Sequence, residues 1–271
     1  MEKNLSTPPS YIRILWLCVL IVGCSSNRYK IDPQIITVDS LSQVVLLHDS
    51  LVQPIAYTQV RGLEEQPIPQ AKQLFISIIL PSILIAKFRL NKTRQELQEL
   101  QDKKKWNQDD STFYLLLKDK YKAKDITTLL RRMQTLPNSI ILAQAAVESG
   151  WGQSRFFREG NNVFGIWSYN SDEPRLQASV QRSENAVYVR AYENISQSIE
   201  NYFETIGKAR AYRSLRSQLS KTNDPYLLLP HLKYYSERRM DYVEQLREII
   251  DQNNLRNYDS YVIDPKFIIA E

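Results

Sequence analysis

The most apolar stretch inside the chain covers residues 73–86, between Lys72 and Lys87, and Pro81 interrupts it. A membrane-spanning helix needs roughly 20 apolar residues, so this shorter stretch favours a buried, kinked helix. Polar residues rich in Gln, Glu and Lys follow over 90–106. The pattern therefore predicts one long helix that leaves the core for solvent.

A second apolar run, residues 140–147, is apolar nearly all round a helix and so predicts a helix buried at the centre of the domain. Pro137 suits the first turn of this helix, and Gly150 is a natural stop after its end. Glu148 is its single charge and lies where the helix dipole disfavours an anion. Burial and dipole both raise the pKa of a carboxyl, which suits a general acid. The alternative is a glutamate that reaches solvent at a frayed helix end.

Aromatic residues are concentrated between residues 151 and 169, directly after this glutamate. Trp151 and Trp167 could stack on sugar rings, while Phe164 is also a candidate for the core. Asn161 and Asn162 offer amide groups that suit the hydroxyl and N-acetyl groups of a glycan. Asparagine pairs are also typical of turns, so this pair alone is a weak signal.

The amino terminus has the pattern of an exported bacterial lipoprotein. A nine-residue apolar run, 14–22, follows basic residues and ends at small residues, which is typical of a secretory signal and too short for a membrane span. The sequence before Cys24 resembles a bacterial lipobox. We therefore predict a signal peptide over residues 1–23 and a lipid anchor on Cys24 that attaches the protein to a membrane. The alternative is an uncleaved helical anchor with an unmodified cysteine.

The residues after Cys24 extend this prediction. Ser25 and Ser26, with no Asp in their place, favour the periplasmic face of the outer membrane within the cell envelope. Residues 24–70 carry four prolines between short apolar runs. This pattern favours a tether that becomes an extended segment packed against the domain.

Composition excludes several kinds of site. His48 and His231 lie far apart and both cysteines fall within the first 24 residues, so we predict no metal, no cofactor and no Cys–His nucleophile. A net charge of +5 over 271 residues does not indicate a nucleic-acid partner. Basic residues over 87–105 and 118–132 interleave with acidic ones, which favours solvated helix faces. The alternative is attraction to anionic wall polymer or lipid head groups.

Several motifs, in order along the chain, resemble one family. Residues 143–154 read AQAAVESGWGQS and residues 160–166 read GNNVFGI. This arrangement is similar to the glucosaminidase family of bacterial cell-wall hydrolases, glycoside hydrolase family 73, where a helix ends in Glu-Ser-Gly-Trp-Gly and Asn-Asn-Leu-Phe-Gly-Ile follows. Residues 211–216 and 234–243 resemble the Bax-like branch of that family.

The resemblance implies a catalytic domain over residues 71–257 and a C-terminal tail over 258–271. It implies an α+β fold, mostly α: a lysozyme-like helical lobe with a small β-hairpin lobe that forms a substrate groove. The clearest β-prone segments, 178–182 and 186–192, are separated by a polar turn, which agrees with a hairpin.

The resemblance also implies catalytic roles. Glu148 protonates the leaving oxygen of the β-1,4 bond after N-acetylglucosamine in peptidoglycan, so the expected enzyme is a glycoside hydrolase and its partner the glycan strand. Glu184 lies at the family's spacing for a second acidic group, with Glu173 and Glu193 as weaker choices. Assistance by the sugar's own N-acetyl group would remove that need. Tyr235 matches a tyrosine that lines the family's site, although the residues after it depart from the family pattern.

Two other functions stay open beside the hydrolase, and a set of residues near Glu148 in the sequence is predicted to bind substrate. A lytic transglycosylase is disfavoured because residues 162–166 lack the Gly-Leu-Met-Gln segment usual in those families. A catalytically weak glycan-binding lipoprotein is the other alternative. An activator protein of unknown identity is a further candidate partner, since some wall enzymes stay inactive until recruited. The predicted substrate-binding residues are Ser149, Trp151, Asn161, Asn162, Phe164 and Trp167.

Overall fold

Helices dominate the computed structural model, which describes residues 29–178 and 186–271. The predicted signal peptide, Cys24 and Glu184 lie outside the described residues. The α-helices within them are α1 (Ile68–Asp102), α2 (Gln108–Lys120), α3 (Ile126–Arg132), α4 (Asn138–Ser149), α5 (Arg155–Gly160), α6 (Ile195–Lys208), α7 (Arg213–Leu219), α8 (Pro225–Leu228) and α9 (Met240–Gln252). The strands are β1 (Tyr29–Ile31), β2 (Gln34–Thr37), β3 (Leu51–Val52), β4 (Ile55–Thr58), β5 (Trp167–Ser168), β6 (Arg175–Gln177), β7 (Tyr188–Arg190), β8 (Val262–Ile263) and β9 (Ile268–Ala270).

Helix α1 confirms the predicted long helix, with Pro81 inside it. Its first half is buried, and Phe75, Ile78 and Ile83 are fully enclosed. The helix is long and apolar enough to cross a membrane, but 72% of its most apolar window is buried inside the protein. This apolar surface is therefore covered by the rest of the chain.

Helix α4 lies at the centre of the helical body, as its nearly uniform apolar pattern predicts. Ile140, Ile141 and Ala143 have no solvent exposure. The helix packs against α1, α9 and the 3-10 helix Leu255–Ser260. Because neighbours surround it, the side chains of its last turn are held in fixed positions.

The amino-terminal end of α4 is capped by a residue far along the chain. Pro137 provides no side-chain cap, and the Asp259 carboxylate instead accepts from the Ser139 backbone N–H at 2.7 Å and from its hydroxyl at 2.8 Å. Asn138 donates to the Tyr258 carbonyl at 2.7 Å and accepts from Lys87. Burial lowers the pKa of Lys87 to about 8, and the nearby Asp259 opposes that shift.

The two ends of the described chain are paired with each other. β1 pairs antiparallel with β9, β3 pairs parallel with β8, and β2 pairs parallel with β4. Ile55 and Tyr57 of β4 are buried in the core. The described part of the predicted tether, residues 24–70, is thus built into the body, and residues 258–271 are not a free tail. Strands of two to four residues are too short for their alternation to reveal this pairing in the sequence.

A three-stranded antiparallel sheet has the order β5-β7-β6. It follows α5 and precedes α6, and Leu176 pairs with Val189 at its centre. The α+β, mostly helical class is confirmed, with a small sheet beside the helical body. Most of the strand predicted over 178–182 lies outside the described residues. The other predicted strand, 186–192, contains β7, and β7 pairs with β6.

We expect Asp259→Ala to lower the free energy of unfolding by about 1–2 kcal/mol, because the first turn of α4 loses its acceptor. Urea denaturation followed by circular dichroism would measure this loss. Glu237→Ala, which removes an exposed carboxylate, is the matched control and should change stability little. Equal stabilities of the two variants would contradict the capping role.

Candidate active site

Glu148 lies in the last turn of α4, with Gly150 as its left-handed C-terminal cap at φ +59°. The residue is half-buried. The Tyr242 hydroxyl donates a hydrogen bond to Glu148 Oε1 at 2.9 Å. Burial raises the pKa of Glu148, while the hydrogen bond from Tyr242 lowers it in part. The result is a carboxyl with a raised pKa held by a neutral donor.

A chain of hydrogen bonds leads to this carboxylate. The Tyr202 hydroxyl donates to Gln144 Oε1, and Gln144 Nε2 donates to the Tyr242 hydroxyl at 2.9 Å. The Tyr242 hydroxyl then donates to Glu148. Every donor points toward Glu148, so each bond polarises the next in the same direction. Gln144 has no solvent exposure and fixes the position of both phenols.

Aromatic rings enclose the chain of hydrogen bonds. Tyr235 stacks on Tyr242 with ring centroids 5.7 Å apart and planes within 6°. Tyr212 lies 6.3 Å from Tyr235, and Phe164 stacks on Tyr202 at 4.3 Å. Burial raises the phenol pKa of Tyr202 and Tyr235 well above its usual value and that of Tyr212 to about 12. The phenols are therefore uncharged near neutral pH, and Tyr242 is the one that donates to Glu148 among the described residues.

The turn after α4 explains the residues that follow Glu148. The Ser149 hydroxyl donates to the Ala145 carbonyl at 2.6 Å and accepts from the Gly152 backbone N–H at 2.9 Å. Gly152 has φ +82°, and a Cβ there would lie 2.6 Å from Leu63 Cδ1. Both requirements suit glycine. Ser149 is fully buried, so the structure uses its hydroxyl to close the helix end.

Trp151 packs against the long helix. Its ring lies 5.4 Å from Phe75 in an edge-on arrangement, and Lys72 Nζ lies 4.8 Å from the ring centroid. Both partners belong to α1. The residue is half-buried, and these contacts fix its ring between α1 and the end of α4.

The two asparagines are buried and connect separate parts of the fold. Asn161 accepts from the Gln59 backbone N–H at 2.9 Å and donates to Thr58 Oγ1 at 2.9 Å and to the Tyr192 carbonyl at 2.8 Å. Asn162 donates to two backbone carbonyls and accepts from one N–H of the loop before β5. Their amide groups are occupied by protein partners, which places both residues in the scaffold.

Trp167 is the exposed member of the predicted set. It begins β5 and is 48% exposed, and the neighbouring Tyr169 is 87% exposed. Their ring centroids lie 6.3 Å apart. Large apolar side chains this exposed are free to contact a ligand.

The carboxylates predicted as second catalytic groups differ in their surroundings. Glu173 forms a two-point ion pair with Arg190, at 3.1 and 3.0 Å, and the Glu193 carboxylate accepts from Gln197 at 2.8 Å. Glu184 lies outside the described residues. Within the described ranges, neither another carboxylate nor a cation contributes to the pKa of Glu148, and no cluster of three metal-ligating side chains occurs.

Sequence comparison identifies the family. Residues 123–255 match the family model described as Glucosaminidase, mannosyl-glycoprotein endo-beta-N-acetylglucosaminidase. This part of the chain belongs to that family. The matched range includes Glu148 and the tyrosine cluster around it, which consists of Tyr202, Tyr212, Tyr235 and Tyr242. The matched part of the chain is thus a glycoside hydrolase domain of the glucosaminidase family.

Two curated relatives show how much of the chain is shared. Protein bax of Escherichia coli strain K12 is 24% identical over 196 residues, which cover 67% of this chain and 69% of that protein. Peptidoglycan hydrolase FlgJ of Escherichia coli O157:H7 is 25% identical over 142 residues, which cover 46% of this chain and 44% of FlgJ. The chain thus spans less than half the length of FlgJ.

Two solved structures are similar at low TM-scores. The catalytic domain of the autolysin Auto from Listeria monocytogenes has a TM-score of 0.40 and 19% identity, covering 73% of this chain and 98% of that one. The glycoside hydrolase domain of FlgJ from Salmonella typhimurium has a TM-score of 0.37 and 24% identity, covering 51% and 87%. The family assignment therefore depends on the sequence match.

Sequence reasoning missed four members of this candidate site: Gln144, Tyr202, Tyr212 and Tyr242. One signal was present, because Gln144 precedes Glu148 by four residues and so shares its helix face. The three tyrosines come from separate helices, and nothing in a chain with 16 tyrosines marks them.

We expect Asn161→Ala to destabilise the glucosaminidase domain by about 2–3 kcal/mol, since it leaves the buried Thr58 hydroxyl and part-buried backbone groups of Gln59 and Tyr192 without their partner. Trp167→Ala is the control from the same segment. It removes a half-exposed ring and should leave the unfolding midpoint nearly unchanged. Chemical denaturation of both variants tests the scaffold role, and a stable Asn161→Ala protein would contradict it.

Proposed function

We propose that this protein is a peptidoglycan hydrolase that cleaves the β-1,4 bond after N-acetylglucosamine, with Glu148 as the general acid. The observation that carries the proposal is the half-buried Glu148 carboxyl, held by the Tyr242 hydroxyl at 2.9 Å and with a raised pKa. A relative with 25% identity is named a peptidoglycan hydrolase, which supports the choice of substrate.

The surroundings of Glu148 suit proton donation. Tyr242 binds Oε1, and within the described residues no hydrogen bond reaches Oε2. In our proposal Oε2 carries the proton to the leaving glycosidic oxygen. Desolvation raises the pKa of Glu148 and so favours the protonated form, and the Tyr242 hydrogen bond stabilises the carboxylate that forms when the proton leaves.

The second catalytic group has two candidates. A retaining enzyme needs a nucleophile and an inverting enzyme a general base, and Glu184 is the residue we predict for either role. The alternative is attack by the oxygen of the substrate's own N-acetyl group, with the neutral tyrosines around Glu148 bordering that group. The ion pair of Glu173 with Arg190 makes Glu173 a weaker nucleophile, because its charge is already compensated.

The exposed rings of Trp167 and Tyr169 are the proposed sugar-stacking surface. Both follow Phe164 in the chain, and Phe164 packs on Tyr202 of the cluster beneath Glu148. Tyr235 stacks on Tyr242, and we assign it the role of aligning that hydroxyl. Ser149, Trp151, Asn161 and Asn162 then act through the scaffold that positions these groups.

Peptidoglycan lies outside the cytoplasmic membrane, so the proposed substrate requires export. The predicted signal peptide over residues 1–23 and lipid attachment at Cys24 provide export and an anchor, and the serines after Cys24 favour the outer membrane. These features depend on the sequence pattern alone. An activator protein at the envelope stays a candidate partner.

We expect Glu148→Gln to lower glycan cleavage by about 10²- to 10⁴-fold, because the amide cannot protonate the leaving oxygen. The measurement is mass spectrometry of fragments released from purified peptidoglycan. Wild type should release fragments with reducing N-acetylglucosamine ends. Glu159→Gln, an exposed carboxylate on α5, is the matched control and should retain wild-type turnover.

The same assay separates the alternatives. Anhydro ends would reclassify the enzyme as a lytic transglycosylase, which uses a single acid. Glycan binding without turnover in wild type would favour the binding role. Glu184→Gln should lose activity comparably to Glu148→Gln if it is the second group, and near-normal turnover would favour assistance by the N-acetyl group.

We expect Tyr242→Phe to move the alkaline limb of the activity profile to higher pH. A general acid works while protonated, so activity falls as pH rises through the pKa of Glu148. The Tyr242 hydrogen bond lowers that pKa, and removing it raises the pKa further. Activity against glycan measured across pH tests this direction.

Tyr114→Phe is the control, since it removes a hydroxyl from α2, outside the tyrosine cluster. Its profile should match wild type. An alkaline limb that stays in place or moves to lower pH in Tyr242→Phe would show that Tyr242 does not stabilise the Glu148 carboxylate.

A further inference from the structure

A basic cavity of about 560 Å³ lies between α3, the end of α6 and α7. Eight of its ten lining residues are lysine or arginine, and none is acidic. Lys122, Arg131, Arg210 and Arg213 on its wall are exposed to solvent. A concave surface with one sign of charge concentrates the electric field and attracts counter-ions.

Little of this positive charge is compensated by the protein. Lys208 pairs with Glu204, and Lys124 reaches Asp125 at 3.8 Å. Within residues 29–178 and 186–271, no carboxylate lies within 4.0 Å of the four exposed basic groups named above. The basic stretch 118–132, predicted as a solvated helix face, thus contributes Lys122, Lys124, Arg131 and Arg132 to a shared cavity.

Arg216 and Arg132 form the base of the cavity and donate hydrogen bonds to backbone carbonyls. Arg216 is 6% exposed and donates through NH1 to the Ile206 and Ala209 carbonyls at 2.7 and 2.9 Å. Arg132 donates to the Tyr121 carbonyl at 2.7 Å. A Cβ at Gly207 would lie 2.4 Å from the Arg132 carbonyl oxygen, so only glycine permits this close approach. Side chains that are already fixed lose little entropy when they bind a ligand.

The pKa of the buried Arg216 guanidinium reflects the positive charges around it. Burial, together with Arg132, Arg131 and Arg213, lowers the pKa of Arg216 to about 10. The neighbouring cations therefore repel each other when the cavity is empty. A bound anion would relieve this repulsion.

We propose that this cavity binds a multiply charged phosphate group. A guanidinium group can bind two phosphate oxygens at once. A carboxylate can also be bound through two oxygens, but it carries a single charge and would compensate less of the positive charge in the cavity. Within the described residues, five arginines and one lysine of the lining lack an acidic partner, and together they call for an anion with several charges. The volume accommodates a di- or triphosphate, or the head group of an anionic phospholipid.

The cavity is separate from the glucosaminidase site. Tyr212 belongs to the tyrosine cluster, whereas Arg213, the next residue, lines the cavity. No lining residue of the cavity contributes to the pKa of Glu148. The inference therefore does not depend on the proposed glycan reaction.

The test measures binding of inorganic tripolyphosphate to the full chain in detergent by isothermal titration calorimetry. We expect Arg131→Gln/Arg213→Gln to weaken binding by at least about tenfold, because both side chains donate to phosphate oxygens. Both residues are exposed, so the fold should tolerate the change. Lys104→Gln/Lys105→Gln removes the same charge from an exposed loop and should change affinity by less than about twofold.

Comparison ligands distinguish phosphate from other anions, and a free phosphate from the phosphate of a lipid head group. Citrate of similar charge should bind more weakly, and equal binding of citrate would overturn the choice of phosphate. Cosedimentation with phosphatidylglycerol vesicles, reduced in the arginine variant and absent with phosphatidylcholine, would assign the phosphate to a lipid head group. Tripolyphosphate binding with equal vesicle binding by both variants would assign it to a free phosphate. Absent tripolyphosphate binding, equal losses in both double variants, or tighter binding of a duplex oligonucleotide would overturn the proposal.

Discussion

The burial of α4 is the constraint on which the rest of the structure depends. A helix that is apolar nearly all round must be covered on every side, and α1, α9 and the segment before β8 cover it. Because this covering extends to the last turn, the carboxyl of Glu148 is half-buried, and within the described residues no charged side chain contributes to its pKa.

Within this enclosure, an uncharged hydrogen-bond donor, the Tyr242 hydroxyl, contacts the Glu148 carboxyl. A lysine or arginine beside Glu148 would hold its carboxyl ionised, and such a carboxyl could not donate a proton. Tyrosine hydroxyls stabilise the anion more weakly and carry no charge of their own. The buried Gln144 orients two of these hydroxyls through one amide. Burial thus favours the protonated form of Glu148, and the hydrogen bond from Tyr242 favours the carboxylate.

The sequence predicted the features that one segment determines by itself. The apolar run before Glu148, the stop at Gly150 and the long helix over α1 each follow from local composition. The tyrosine cluster could not be predicted in the same way, since α6, the segment after it and α9 meet only through tertiary packing. Asn161 shows what the sequence leaves out: its amide suits a sugar, and only the structure reveals its hydrogen bonds to Gln59 and Tyr192. The pairing of β1 with β9 was also hidden, because strands this short carry little periodicity.

The pairing of the chain ends has a geometric consequence for an anchored enzyme. Tyr29 is already fixed in β1 against β9, and only five residue-to-residue steps separate it from Cys24. Such a length of chain reaches at most about 18 Å. With lipid on Cys24, the chain between the anchor and the folded body would be far shorter than a free segment over residues 24–70 would allow. The body would work within a narrow layer next to the bilayer, and glycan deeper in the wall would be out of its reach.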